Sequence, residues 1–169
     1  MLRNIILSLT ITAIFMLGWL SANLYNNLSI TDAEKPLSIG SLFTGSVERY
    51  SPADHVKEKN IHVYSDKVVL DLAGATWSSF TDTNSMDPLI DAGANGIEIK
   101  PKSTDELKKG DIIAFRTPYA SGIIIHRIAE TGSDDNGWYA KTKGDNNPTV
   151  DPGKVRFKDI TGVVVGVIY

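Results

Sequence analysis

"GIIIHRIAE", residues Gly122–Glu130, is a run of β-branched residues that a single imidazole interrupts. Side chains alternate between the two faces of a strand, so His126 shares its face with Ile124 and Ile128. Similar apolar runs, separated by Gly, Asn, Asp and Pro, recur from Ile61 to the C-terminus. The pattern predicts a mainly β fold, an antiparallel domain whose irregular loops carry the unusual residues.

Length, charge and cysteine content narrow the classes of function. The chain has 169 residues, enough for one domain and an appendage. Its 17 basic and 20 acidic residues give a net charge of −3 without a basic stripe, which argues against nucleic acid as a partner. Cysteine is absent, so covalent catalysis would have to use Ser, Thr, Lys or a carboxylate.

An uncharged, largely apolar stretch, Asn4–Asn23, occupies the N-terminus. About 20 such residues are enough to cross the hydrocarbon core of a bilayer. The alternative is a cleaved secretory signal, whose cleavage site needs two small residues. Ala22 fits one position, but the bulky Leu20 and Trp19 stand where the other is needed. The stretch therefore predicts a retained transmembrane helix within residues 1–23.

The charges on either side of this stretch predict its orientation. Arg3 and the N-terminal amine precede it, whereas Asp32, Glu34 and Lys35 follow it with a net charge of −1. The more positive flank of a membrane span stays in the cytoplasm. We therefore expect a single-pass protein of the cell membrane, with a cytoplasmic N-terminus, the lipid bilayer as a partner and the β domain outside the cytoplasm.

Polar, turn-rich residues separate the predicted anchor from the β domain. Residues 24–59 are expected to form a juxtamembrane linker that ends in a short helix. Ser51 as N-cap and Pro52 at the first helical position predict that helix, which would run to about Lys59. The predicted boundaries are thus 1–23 for the anchor, 24–59 for the linker and 60–169 for the β-rich domain.

Three segments carry residue types that can perform catalysis. Ser85 lies in TDTNSMDPLI, His126 lies in the apolar run, and Asp145 and Asp151 lie in KGDNNPTVD. Turn geometry or a core histidine would explain each segment on its own. Together they supply the nucleophile, the base and the carboxylate of acyl transfer.

Two alternative chemistries would use other residues. Lys141 or Lys143 would be the base of a Ser–Lys dyad, which requires a desolvated lysine. Lys143 borders a polar loop and alternates onto the same strand face as Lys141, so a solvated state is expected. His55 and His62 lack further ligands at metal-binding spacing, so the sequence predicts no metal site and no cofactor.

The order of five motifs resembles that of type I signal peptidases: NSMDPLI, KKGDIIAFR, IIIHRI, TKGDNNPTVD and ITGVVVGVIY. The resemblance is to the archaeal and endoplasmic-reticulum branch and runs from about Thr83 to Tyr169. That branch has a histidine where the bacterial branch has its lysine base, and His126–Arg127 looks like the histidine form. The resemblance implies a signal-peptidase-type antiparallel β domain with one N-terminal transmembrane helix.

The resemblance also implies a role for each candidate residue. Ser85 would attack the scissile carbonyl, and His126 would act as general base and then protonate the leaving amine. Asp151 would orient His126, while Asp145 would support the loop or serve as an auxiliary acid. The Ser85 backbone N–H and the Thr83 hydroxyl would form the oxyanion hole.

The function implied is that of a membrane-anchored serine endopeptidase. It would remove N-terminal signal peptides from exported proteins at small-residue, Ala-x-Ala-like sites, with those proteins and the protein-export machinery as partners. An extended substrate is expected to pair with a strand edge, with residues 76–80 as one wall. Two alternatives stay open: a non-catalytic anchored subunit that keeps the fold, and a maturation peptidase for a narrow set of surface proteins.

Overall fold

The chain divides into two units, Met1–Ser46 and Val47–Tyr169. The computed structural model describes residues 10–21 of the first unit and 50–169 of the second. Residues 10–21 form an α-helix of exposed residues, and none of the described helices is long and apolar enough to cross a membrane. The predicted span and linker reach beyond the described residues, so the anchor and the domain boundaries stay predictions.

The second unit is built from antiparallel strands, which confirms the mainly β fold. A two-stranded hairpin, β1 (Ile61–Val63) and β2 (Val68–Leu70), precedes a seven-stranded sheet. The strands of that sheet are β3 (Thr76–Ser79), β4 (Asn95–Ile99), β5 (Ile112–Thr117), β6 (Ala120–Asp134), β7 (Gly137–Lys143), β8 (Val155–Arg156) and β9 (Ile160–Ile168). Their spatial order is β3-β4-β9-β5-β6-β7-β8, so β9 returns to the centre between β4 and β5.

Two apolar clusters pack against this sheet, and alternate residues of β5 and β6 divide between them. The first cluster contains Leu107, Ile113, Phe115, Ile128, Ala140, Val155, Ile160 and Val163, and the second contains Met86, Ile90, Ala94, Ile112 and Val164. Ile124 packs against the first and Ile125 against the second, as strand alternation predicts. Each large aliphatic side chain buried in this way contributes about 1.5–3 kcal/mol.

The helix predicted over residues 51–59 does not form. Residues 51–57 have no helical hydrogen bonding, and Glu58–Asn60 makes a single 3₁₀ turn. Asp111, which is fully buried, holds the segment instead. Its Oδ1 accepts the Ala53 backbone N–H at 2.7 Å and lies 3.1 Å from His55 Nε2. This tertiary partner replaces the intrahelical bonds that Ser51 and Pro52 would have started.

We expect Asp111→Ala to lower the free energy of unfolding by about 2–3 kcal/mol, because two backbone N–H groups lose their acceptor. These belong to Ala53 and Lys108, both 2.7 Å from an Asp111 oxygen. Urea unfolding of the full chain in detergent measures the change. Asp66→Ala, at an exposed turn, is the control and should change stability by less than about 0.5 kcal/mol. Equal losses in the two variants would contradict this role of Asp111.

A cluster of ion pairs links the C-terminal end of β6 to β8. Asp134 accepts hydrogen bonds from Arg156 at 2.9 and 3.0 Å and from Lys154 at 2.6 Å. The hydrogen bonds from Arg156, and then from Lys154, hold the pKa of the Asp134 carboxyl well below its usual range. Asp134 also raises the pKa of the Arg156 guanidinium. The folded state therefore favours the ionised carboxylate.

This lowered pKa predicts how stability depends on pH. A carboxyl whose pKa is lower in the folded state stabilises the fold above its unfolded pKa of about 4, and this contribution is lost as the pH falls. Asp134→Asn should therefore lose less stability than the wild type between pH 5 and about pH 2. Unfolding curves across that range test this, with Asp135→Asn as the exposed control. If the stability of the wild type and of Asp134→Asn depended on pH in the same way, this prediction would be wrong.

Candidate active site

Ser85 lies in the segment between β3 and β4, which two buried apolar residues hold against the sheet. Met86 and Ile90 are each 3% exposed in the second cluster, and the Ile90 N–H donates to the Met86 carbonyl at 3.0 Å. Asn84 has a φ of 56°, in the left-handed region that Asn tolerates better than most residues. The segment is thus anchored on its apolar side, while Ser85 stays half-buried and lines a cleft.

A turn over residues 144–146 fixes the backbone of Ser85 from a distant part of the chain. The Asn146 N–H donates to the Ser85 carbonyl at 3.0 Å, and the Asn146 amide Nδ2 donates to the Asn84 carbonyl at 2.9 Å. Gly144 packs against the same place, because a Cβ there would lie 2.5 Å from the Ser85 carbonyl oxygen. The glycine of the GDNN motif is therefore required by close approach.

His126 and Asp151 form a short, partly buried hydrogen bond. His126 Nδ1 lies 2.6 Å from Asp151 Oδ2, and their side chains are 11% and 21% exposed. The Thr142 hydroxyl donates to the same Oδ2 at 2.7 Å, and the Asp151 N–H donates to the Thr142 carbonyl at 2.8 Å. A carboxylate acceptor at Nδ1 favours the tautomer that carries its proton there, which leaves Nε2 free to accept a proton.

Asp145 contacts Arg127 rather than the histidine. Arg127 Nε and Nη2 donate to the two Asp145 carboxylate oxygens, each at 2.7 Å, and Nη1 donates to the Gly110 carbonyl at 2.8 Å. A bidentate ion pair of this kind fixes the orientation of both side chains as well as neutralising their charges. The two acids of KGDNNPTVD thus have separate partners, and only Asp151 touches His126.

Ser85 and His126 line one cleft of roughly 410 Å³, which we call the first cleft. Thr83 also lines it, with its hydroxyl oxygen 3.2 Å from Ser85 Oγ. No hydrogen bond joins Ser85 to His126 in the part of the chain that the structure describes. Catalytic hydrogen bonds often tighten only when substrate binds. A carbonyl bound in the first cleft would therefore be accessible to both groups.

Two unpaired strand edges border the first cleft. Among the described residues, β3 pairs with β4 alone, and β6 pairs with β7 only from Arg127 onward. Within residues 50–169, the edge of β6 over residues 120–126 therefore has no strand on that side. The cleft is lined from β3 and the residues after it by Ser79, Phe80 and Thr81, and from β6 by Ser121 and Ile123. Such edges offer N–H and C=O groups to an extended chain.

The other candidate residues lie away from this cleft. Lys141 is 3.3 Å from Glu130, and Lys143 lines a separate cavity beside Asp145. His55 is bound to Asp111, whereas His62 is exposed on β1. Residues 10–21 and 50–169 contain no group of three metal-binding side chains.

Sequence reasoning assigned no role to Thr142, Gly144, Asn146 or Arg127. Arg127 did leave a signal, since an arginine among isoleucines in a strand needs a carboxylate partner when it is half-buried. Gly144 and Asn146 stand in KGDNNPTVD, which turn geometry alone would explain, but both also contact the Ser85 segment. Thr142 left no signal, because its contact with Asp151 depends on the path of the loop after β7.

Signal peptidase I W of Bacillus subtilis (strain 168) is 30% identical to this chain over 84 residues. The match covers 50% of this chain and 44% of that protein, so it spans less than half of the relative's length. No known family model matches the chain, and neither does any solved structure. The likeness supports a distant relationship to signal peptidases and does not identify a branch.

We expect Gly144→Ala to reduce the reactivity of Ser85. The added Cβ has to push the Ser85 carbonyl aside, and a displacement of about 1 Å typically costs on the order of 100-fold in rate. The rate at which a serine-directed phosphonate labels Ser85, followed by mass spectrometry, measures the effect. Gly166→Ala is the matched control, since its added Cβ would meet Ile97 at an ordinary 3.7 Å. Unchanged labelling of a folded Gly144→Ala protein would show that the close approach does not position Ser85.

Proposed function

We propose that this protein is a membrane-anchored serine endopeptidase that removes signal peptides from exported proteins. The observation that carries the proposal is the joint exposure of Ser85 and His126 to one cleft, with Asp151 hydrogen-bonded to His126 Nδ1 at 2.6 Å. The partial likeness to a signal peptidase supports the same reaction class. The Ser–His form of the chemistry, as in the archaeal and endoplasmic-reticulum branch, is part of the proposal.

The proposed reaction is acyl transfer through a serine ester. His126 Nε2 takes the proton of the Ser85 hydroxyl as Oγ attacks the scissile carbonyl, and Asp151 stabilises the imidazolium through Nδ1–H. The proton then passes to the leaving amine. His126 next activates a water molecule that hydrolyses the ester and releases the signal peptide. Asp145 would keep the loop in place through Arg127 rather than take part in proton transfer.

The oxyanion of the tetrahedral intermediate would be bound beside Ser85. The proposed donors are the Ser85 backbone N–H and the Thr83 hydroxyl, which lies 3.2 Å from Ser85 Oγ. Loss of one donor of this type typically costs about 2.7–4 kcal/mol of transition-state stabilisation.

The open edges of β3 and β6 favour an extended peptide as the substrate. Main-chain pairing with an edge gives affinity, and pockets for alternate side chains give specificity. The side chains of Phe80, Met86, Ile90 and Ile125 line the first cleft between these edges. We propose that they leave room only for small residues, in an Ala-x-Ala-like pattern before the scissile bond.

The membrane anchor and its orientation belong to the same proposal. Residues 1–23 would cross the cell membrane with the N-terminus in the cytoplasm, and the peptidase domain would lie outside, where exported chains emerge. The helix over residues 10–21 lies within the predicted span. The partners would be signal-peptide-bearing proteins, the bilayer and the protein-export machinery.

The direct test is cleavage of a signal-peptide precursor by the detergent-solubilised protein. Ser85→Ala, His126→Ala and Asp151→Asn should each lower kcat/KM by at least about 1,000-fold, because the three groups act as a unit. Ser133→Ala, an exposed serine of β6 outside the first cleft, is the matched control and should keep nearly full activity. A precursor with bulky residues at both small positions should resist cleavage.

Two results would separate the parts of this proposal. If a well-folded wild type left several precursors uncut with lipid restored, the reading as a non-catalytic anchored subunit would replace the peptidase. If the bulky precursor were cut as fast as its Ala-x-Ala counterpart, the peptidase would stand and the small-residue specificity would be wrong.

A further inference from the structure

A second cleft, of roughly 560 Å³, meets the first cleft along β6. Ile124 and His126 line both clefts, whereas Ser85 lines only the first. The second cleft continues from His126 past Asp151 to the turn between β5 and β6 and to the segment around β8. The mechanism proposed above uses the His126–Asp151 end of this space and leaves the rest without a role.

The position of His126 indicates what would occupy the second cleft. In the proposed reaction the leaving amine takes its proton from His126, so the chain after the scissile bond must begin within hydrogen-bond reach of that imidazole. The chain before the bond lies in the first cleft with Ser85. A polypeptide that passes His126 from the first cleft therefore enters the second.

The outer part of the second cleft has a wall suited to an extended chain. Tyr119, at the turn between β5 and β6, is 72% exposed. Its ring packs over Gly153, so that a Cβ added at Gly153 would lie 3.1 Å from the ring. Pro118 and Pro152 also line this region. These groups make a largely apolar surface, so discrimination between charged and neutral sequences would come from the charged side chains around it.

Cations outnumber carboxylates around the second cleft. Lys154 and Arg156 line it but are held by Asp134 at 2.6 and 2.9 Å. Arg116 and Lys158 are exposed and take part in no ion pair within residues 50–169. The opposing acids that line the cleft are Asp151, which is bound to His126 and Thr142, and Asp159.

We propose that the second cleft binds the polypeptide that follows the scissile bond and favours acidic side chains there. The inference rests on the proposed peptidase function and adds a preference on the side of the mature protein. Arg116 and Lys158 supply the charges available to an acidic substrate. Because both are exposed, their contribution is modest and screened by salt.

Two precursors that differ only after the scissile bond test the inference. One carries three acidic residues among the first five of the mature part, and the other carries three lysines. The wild-type chain in neutral detergent at low salt should cut the acidic precursor with about fivefold higher kcat/KM, and 0.5 M salt should remove most of the difference.

A charge reversal provides a readout that a structural defect would not produce. Arg116→Glu/Lys158→Glu should invert the preference, so that the lysine precursor is cut faster. Lys100→Glu/Lys102→Glu changes the net charge equally on exposed residues away from both clefts, and should keep the wild-type preference.

The outcomes distinguish this inference from the proposed function. Equal cleavage of both precursors by the wild type, or an unchanged preference in the Arg116→Glu/Lys158→Glu protein, would overturn the acidic-side preference and leave the peptidase intact. Failure to cut either precursor would overturn the peptidase and this inference together.

Discussion

The close approach of Gly144 to the Ser85 carbonyl is the constraint on which the rest of the site depends. No side chain fits between the two segments, and Asn146 adds hydrogen bonds to the carbonyls of Ser85 and Asn84. Asp145 lies between Gly144 and Asn146 in the chain. Its carboxylate is held by Arg127, the direct neighbour of His126 on β6. One short turn therefore touches both the segment with the hydroxyl and the strand with the imidazole, and sets their relative position.

Strand alternation at His126 and Arg127 separates the two acids of the loop. Consecutive residues of β6 point to opposite faces, so the imidazole meets Asp151 while the guanidinium meets Asp145. The full charge of Arg127 is thereby neutralised away from the imidazole. Asp151 also accepts the Thr142 hydroxyl, which further restricts its orientation. Asp145 and Asp151 thus have different partners because successive side chains of β6 alternate between the two faces of the strand.

The strands were predictable from sequence, whereas the contacts at their ends were not. β5 and β6 follow from local runs of apolar residues. Ser85, His126, Asp145 and Asp151 were singled out by their residue types, and the family resemblance then assigned their roles. The contact of Thr142 with Asp151 depends on a loop path that no local pattern specifies. The helix at 51–59 was wrong because Asp111, far along the chain, offered stronger partners than the cap residues did. A tertiary hydrogen bond of this kind overrides local propensity.

The edge of β6 over residues 120–126, which has no strand on that side within residues 50–169, is also a potential site of aggregation. An unpaired strand edge is a template on which the edge of another sheet can pair, which leads to aggregation. Gly122 has a φ of 97°, outside the extended range, and so interrupts the edge near its start. The regular part is left with only Ile123 to His126, since β7 covers the strand from Arg127 onward. A stretch this short limits the number of residues that can pair with the edge of another sheet.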